Sequence, residues 1–147
     1  MALKAAMWVH GTIVEAENPT SFVSRKGSGA QFGAFGGAKP NWFHIPITTP
    51  VILDGVRPQL GKVFVFYKTN GATITNLHIY DGPRKVKAFD GLKLSGNHSG
   101  SIDASNSWVI TPSLKILFGL GISVGVQFGI DPGDILFTTA GADFVTP

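Results

Sequence analysis

The 147-residue chain contains no cysteine. That absence removes disulfides, thiolate metal sites, iron–sulfur clusters and cysteine nucleophiles. Charge is also scarce: 14% of residues are charged, and 12 basic against 9 acidic side chains leave a net charge of +3. The only basic cluster, Arg84, Lys85 and Lys87, is too short for a nucleic-acid stripe, so no nucleic-acid partner is expected. No apolar run reaches the roughly 18 residues of a transmembrane helix. The opening "MALKAAMWVHGT" lacks the apolar stretch of a signal peptide. A cytoplasmic location is the default expectation, with export by an unmarked route as the alternative. Helical periodicity is missing as well. So are the spacings H-x-H and H-x-x-x-H, a G-x-S-x-G nucleophile elbow, and a phosphate loop with its Lys-Ser/Thr. No metal site and no cofactor are expected.

What is present is β-chemistry. There are 19 Gly and 11 Phe, and apolar residues alternate at period two between clusters of Gly, Asn, Asp and Pro. Strands are predicted over residues 6–15, 42–48, 63–68, 73–80, 84–89, 107–111, 116–130 and 135–140. Turns are predicted at residues 69–71, 80–83, 89–91 and 131–134. One domain over residues 1–147 follows, an all-β antiparallel sandwich of about eight to ten strands, jelly-roll-like, with an up-and-down barrel as the alternative. Two segments break the rhythm. Residues 26–41, "KGSGAQFGAFGGAKPN", read as a mobile Gly-rich loop carrying exposed Phe32 and Phe35. Residues 95–107, "SGNHSGSIDASNS", read as a polar loop, and long loops carry function more often than short ones.

The most informative stretch is 116–130, "ILFGLGISVGVQFGI". Ile116, Phe118, Leu120, Ile122, Val124, Val126 and Phe128 fall on one face, and nearly everything between them is small. The bulky face belongs in the core, and a strand so long is expected to bend at a glycine and serve both sheets. For the bare face three readings stand: close approach of a neighbouring element, a subunit interface, or a membrane-inserting strand.

Parity puts three of the four histidines on the more polar strand faces: His10 with Trp8, His44 with Trp42, and His78 with Tyr80. His98 lies in the polar loop with Asn97 and Asp103. Stacking and hydrogen-bonding groups of these kinds suit a sugar or another small ligand, and the residues assigned to it are Trp8, His10, Trp42, His44, Tyr80, Asn97, His98 and Asp103. A catalytic alternative uses His44 or His78 as acid/base with Asp81 or Asp103.

The segments "WVHGT", "NWFHIPITTPVILDGVRP", "NLHIYDG" and "WVITPSLKILFGLGISVGVQF" resemble an uncharacterised family of small bacterial all-β proteins. The resemblance covers most of the chain outside the Gly-rich loop. It implies a single family domain and carries no activity over. The closing strands also look like the last two of trimeric jelly-roll domains of the tumour-necrosis-factor and C1q type, a likeness of fold only. The leading expectation is a lectin-like binding module without enzymatic activity, working as a homo-oligomer. A small cofactor-independent hydrolase, lyase or cyclase comes second, and a membrane-inserting or self-assembling β-protein third.

Overall fold

A computed structural model describes residues 2–36, 38–129 and 132–147. The predicted turn at 131–134 lies partly outside them. Among the described residues the chain forms β1 (Leu3–His10), β2 (Glu15–Ala16), β3 (Val23–Lys26), β4 (Gly29–Gly33), β5 (Pro40–Ile47) and β6 (Gln59–Asn70). It continues through β7 (Ala72–Asp81), β8 (Arg84–Phe89), β9 (Asn97–His98), β10 (Ser107–Lys115), β11 (Leu120–Phe128) and β12 (Asp134–Val145). These strands make two antiparallel sheets, one of seven and one of five, whose main orders are β1–β12–β6–β10 and β5–β11–β7–β8. The chain passes repeatedly from one sheet to the other, in the two interleaved Greek keys of a jelly roll.

The count of twelve strands exceeds the eight to ten expected because four short ones, β2, β3, β4 and β9, lie almost wholly outside the predicted strands. β4 falls inside the Gly-rich segment. It pairs with β12 where β1 leaves off, and Phe32 is buried rather than exposed, whereas Phe35 is exposed. Glycine here serves close packing. Gly29 has φ +143°, and a Cβ on it would stand 2.0 Å from the Phe137 carbonyl oxygen. β9 likewise arises in the polar loop, pairing with Tyr67 and Lys68 of β6.

The core lies between the sheets. Leu120, Ile122, Val124, Val126 and Phe128 of β11 are all buried, facing an aromatic centre of Phe32, Phe43 and Phe137. Ring centroids there are 4.9 to 6.2 Å apart. Each such side chain contributes about 1.5–3 kcal/mol by burial. The bulky face of β11 therefore meets the second sheet and not lipid.

The stretch 116–130 is not one strand. Asp81, at the end of β7, accepts the N–H groups of Leu117 (2.9 Å), Phe118 (2.9 Å) and Gly119 (3.3 Å). These bonds hold the chain out of the ladder ahead of β11. Alternation restarts at Leu120, and Phe118 is 79% exposed where the pattern put it in the core. β11 stays in one sheet and does not serve both. The predicted strand 6–15 is broken in the same way. His10 Nδ1 accepts the Thr12 N–H at 3.1 Å, a 3₁₀ turn follows over Gly11–Ile13, and Ile13 is left exposed.

Candidate functional site

The outer face of the β5–β11–β7–β8 sheet carries a trough, and the register explains it. Gly121 stands between Pro46 and Tyr80, Ser123 between His44 and His78, and Gly125 between Trp42 and Asn76. The central strand offers almost no side chain while both neighbours offer large ones, so β11 is the floor and β5 and β7 are the walls. A cavity of about 850 Å³ opens over Gly119–Ser123, and a second of about 280 Å³ adjoins it beside Trp42, His78 and Lys85. Both are lined by His44, Tyr80 and Ser123.

The polar groups of this face are ordered by hydrogen bonds. His44 Nδ1 lies 2.8 Å from Ser123 Oγ, and its Nε2 lies 2.9 Å from Glu17 Oε1. A carboxylate can only accept, so in the neutral imidazole Nε2 carries the proton. Nδ1 then accepts the Ser123 O–H. His78 donates through Nε2 to Asp90 Oδ1 (2.8 Å), and Asn76 Nδ2 donates to the same oxygen (2.7 Å). Those two bonds hold the Asp90 carboxyl below the usual carboxylate range. The Trp42 ring lies 4.8 Å from that of His78, tilted by 44°.

The residues assigned to a ligand from the sequence fall in three places. Trp42, His44 and Tyr80 line the trough. Trp8 and His10 lie on the other sheet. The Trp8 indole stacks on Phe64 at 4.8 Å and over Gly141, where a Cβ would come within 2.4 Å of the ring. The two nitrogens of His10 are taken by Thr12 Oγ1 and the Gly27 carbonyl, each at 2.9 Å. Asn97, His98 and Asp103 sit in the polar loop, which is closed on itself. His98 Nδ1 meets Asp103 Oδ2 at 2.8 Å, its Nε2 meets the Ser95 carbonyl at 2.9 Å, and the buried Asn106 donates to the carbonyls of His98 and Ser101. The Asp103 hydrogen bond raises the His98 pKa, and the same bond from His98 lowers that of Asp103.

Of the catalytic candidates, His44 and His78 flank one serine on the same face. Their carboxylate partners are Glu17 and Asp90, not Asp81 or Asp103. Asp81 is buried at the strand end. Burial raises its pKa, and the three backbone donors with Arg84 more than offset this, so it titrates below the usual range. Among the described residues no three His, Cys, Asp or Glu side chains gather in a metal-binding group. Glu17 and Ser123 drew no attention as site residues in the sequence. Their only signal is register: Ser123 is a polar residue on the bare face of the strand that two histidine-bearing strands flank.

Several solved structures are similar over most of the chain. A carbohydrate-binding module, TmCBM61, solved with β-1,4-galactotriose, superposes with a TM-score of 0.49 at 10% identity, covering 91% of this chain and 86% of that one. The CBM36-1 domain of a multidomain xylanase from the hindgut metagenome of Trinervitermes trinervoides gives 0.44 at 8% identity, covering 94% and 96%. Carbohydrate-binding module CBM36 with calcium and xylotriose gives 0.39 at 8% identity, covering 90% and 96%. At these scores none of them bears on what this chain binds. No curated protein matches it in sequence. The family profile that does match spans residues 2–136, and the chain belongs to that family, a family of unknown function designated DUF6623.

Proposed function

We propose that the protein is a ligand-binding module whose trough over β11 holds a carbohydrate or another small polyhydroxylated molecule. The observation that carries this reading is the open floor at Gly121 between Pro46 and Tyr80, continuous through Ser123 with the pocket bearing Trp42 and hydrogen-bonding groups. A sugar ring has an apolar face and a hydroxylated edge. A floor without side chains lets the ring lie close to the sheet, an aromatic wall takes its apolar face, and His44, His78 and Lys85 meet its hydroxyls. The charges around the trough are mixed, with Glu15 and Glu17 on one side and Lys85 on the other, so the field favours a neutral ligand over an ion.

The test is a glycan array followed by titration calorimetry with the oligosaccharides it selects. Trp42→Ala is expected to abolish binding while leaving the melting temperature nearly unchanged, because Trp42 is only half-buried on an outer face. Trp8→Ala is expected to leave the affinity as it is. Equal affinity for the wild type and Trp42→Ala contradicts the reading.

A further inference from the structure

The two ends of the trough differ in chemistry. One is polar, formed by Glu17, Trp42, His78 and Lys85. The other is mostly apolar, formed by Ile13, Pro46, Pro83 and the floor glycines. Ser123, His44 and Tyr80 line both, so they mark the junction. At that junction runs the hydrogen-bonded chain Ser123 Oγ–His44–Glu17, with both contacts under 3 Å. The tautomer fixed by Glu17 leaves the Nδ1 lone pair facing the serine hydroxyl, which is the arrangement a nucleophile and its base require.

We propose that this junction hydrolyses carboxylic esters that join a hydroxylated group to an apolar acyl chain. The hydroxylated group lies in the polar end, the acyl chain in the apolar end, and the ester carbonyl over Ser123. The assignment of the polar end rests on the binding reading above. Ser123 Oγ attacks the carbonyl carbon as its proton passes to His44 Nδ1. Glu17 is a positioning residue: it holds the ring and stabilises the imidazolium. The bond from carbon to the alcohol oxygen then breaks, and that oxygen takes the proton from Nδ1, leaving acyl-Ser123. Water adds to the acyl carbon with His44 again taking a proton, and Ser123 departs with it. The sum is ester plus water giving alcohol plus carboxylic acid, with no other reactant. The N–H groups of β11 are spent in ladders on both sides, so the donors available to the oxyanion are side chains, the Tyr80 hydroxyl and the Lys85 ammonium. Turnover should accordingly be modest, and the acyl-enzyme is the more telling readout.

The experiment uses the full chain with p-nitrophenyl acetate and p-nitrophenyl butyrate, following nitrophenolate release and mapping the acyl group by mass spectrometry after an acid quench. The expected result is an adduct on Ser123, faster turnover of the butyrate, and a loss of about 100-fold or more in Ser123→Ala. Ser123→Ala removes one oxygen, and its thermal melt should remain a single cooperative transition, which separates loss of the nucleophile from loss of the fold. Glu17→Gln should lower kcat with KM unchanged, which a merely structural role would not do. Undiminished hydrolysis in Ser123→Ala, or an adduct found only on lysines, overturns the proposal. If ester turnover fails while Trp42-dependent sugar binding persists, hydrolysis falls and binding stands. If both fail, the binding reading falls too.

Discussion

Replacing Gly121 by valine separates the floor of the trough from the fold that carries it. Gly121 sits opposite Pro46 and Tyr80, and a Cβ built on it meets only Tyr80 Cβ, at 3.8 Å, an ordinary contact. The position accepts a side chain without strain, and the side chain points into the trough. Removing a strand glycine lowers the entropy of the unfolded chain, which stabilises by about 0.4–1 kcal/mol, and valine suits a strand. The melting temperature should therefore rise by roughly 1–4 °C for a domain of this size. Binding should move the opposite way. An isopropyl group on the floor lifts a stacked ring off the sheet, and a loss of about tenfold or more, or about 1.4 kcal/mol, is expected. Gly125 is a poorer choice, because its Cβ would stand 2.9 Å from Asn76 Oδ1 and push on the amide that orients Asp90. Circular dichroism melts and calorimetry on Gly121→Val are the assays. A variant as stable as expected that binds with wild-type affinity refutes the claim that the ligand lies on this floor.

Other outcomes follow from the same geometry. Asp81→Ala strands three backbone donors ahead of β11; that segment is partly exposed, so a total loss of about 3 kcal/mol is expected in urea titrations. Because the folded pKa of Asp81 is lowered, its contribution is fully present above the unfolded carboxylate value and lost as pH falls through the folded one. The gap between wild type and variant should shrink in acid. The His98–Asp103 pair has the opposite sign at each end: the His98 share is complete below the unfolded imidazole pKa and lost as pH rises through its raised folded value, and the Asp103 share is lost as pH falls through its lowered one. Proton NMR should show His98 titrating above the ordinary imidazole value, and a normal midpoint would mean the pair does not form. Gly29→Ala should prevent or severely weaken folding, since its Cβ cannot clear the Phe137 carbonyl; a soluble, cooperative unfolding transition in that variant would contradict the placement of β4.

Period-two alternation made most of the strands legible. Residues 84–89 match β8 at both ends, and the core face of β11 from Leu120 to Phe128 is as the alternation has it. What was illegible depends on groups far apart in sequence. The break before β11 is made by a carboxylate 36 to 38 residues away, and nothing in "ILFG" announces it. β4 read as a loop because its glycines weaken strand propensity, although one of them, Gly29, is what lets β12 come close. The meeting of His44 with Ser123, 79 residues apart, and with Glu17, 27 apart, is a matter of register between strands. Parity assigns each residue to a face. It does not say which strand lies beside which, and so Trp8, His10 and the polar loop were grouped with residues on the opposite sheet.

The most direct test of the account is a backbone amide NMR titration with the oligosaccharide that binds best in calorimetry. The largest shifts are expected at Trp42, Tyr80, Gly121 and Ser123, with Trp8 and residues 97–106 unmoved. Shifts gathered around Trp8 or the polar loop, with β11 silent, would contradict it.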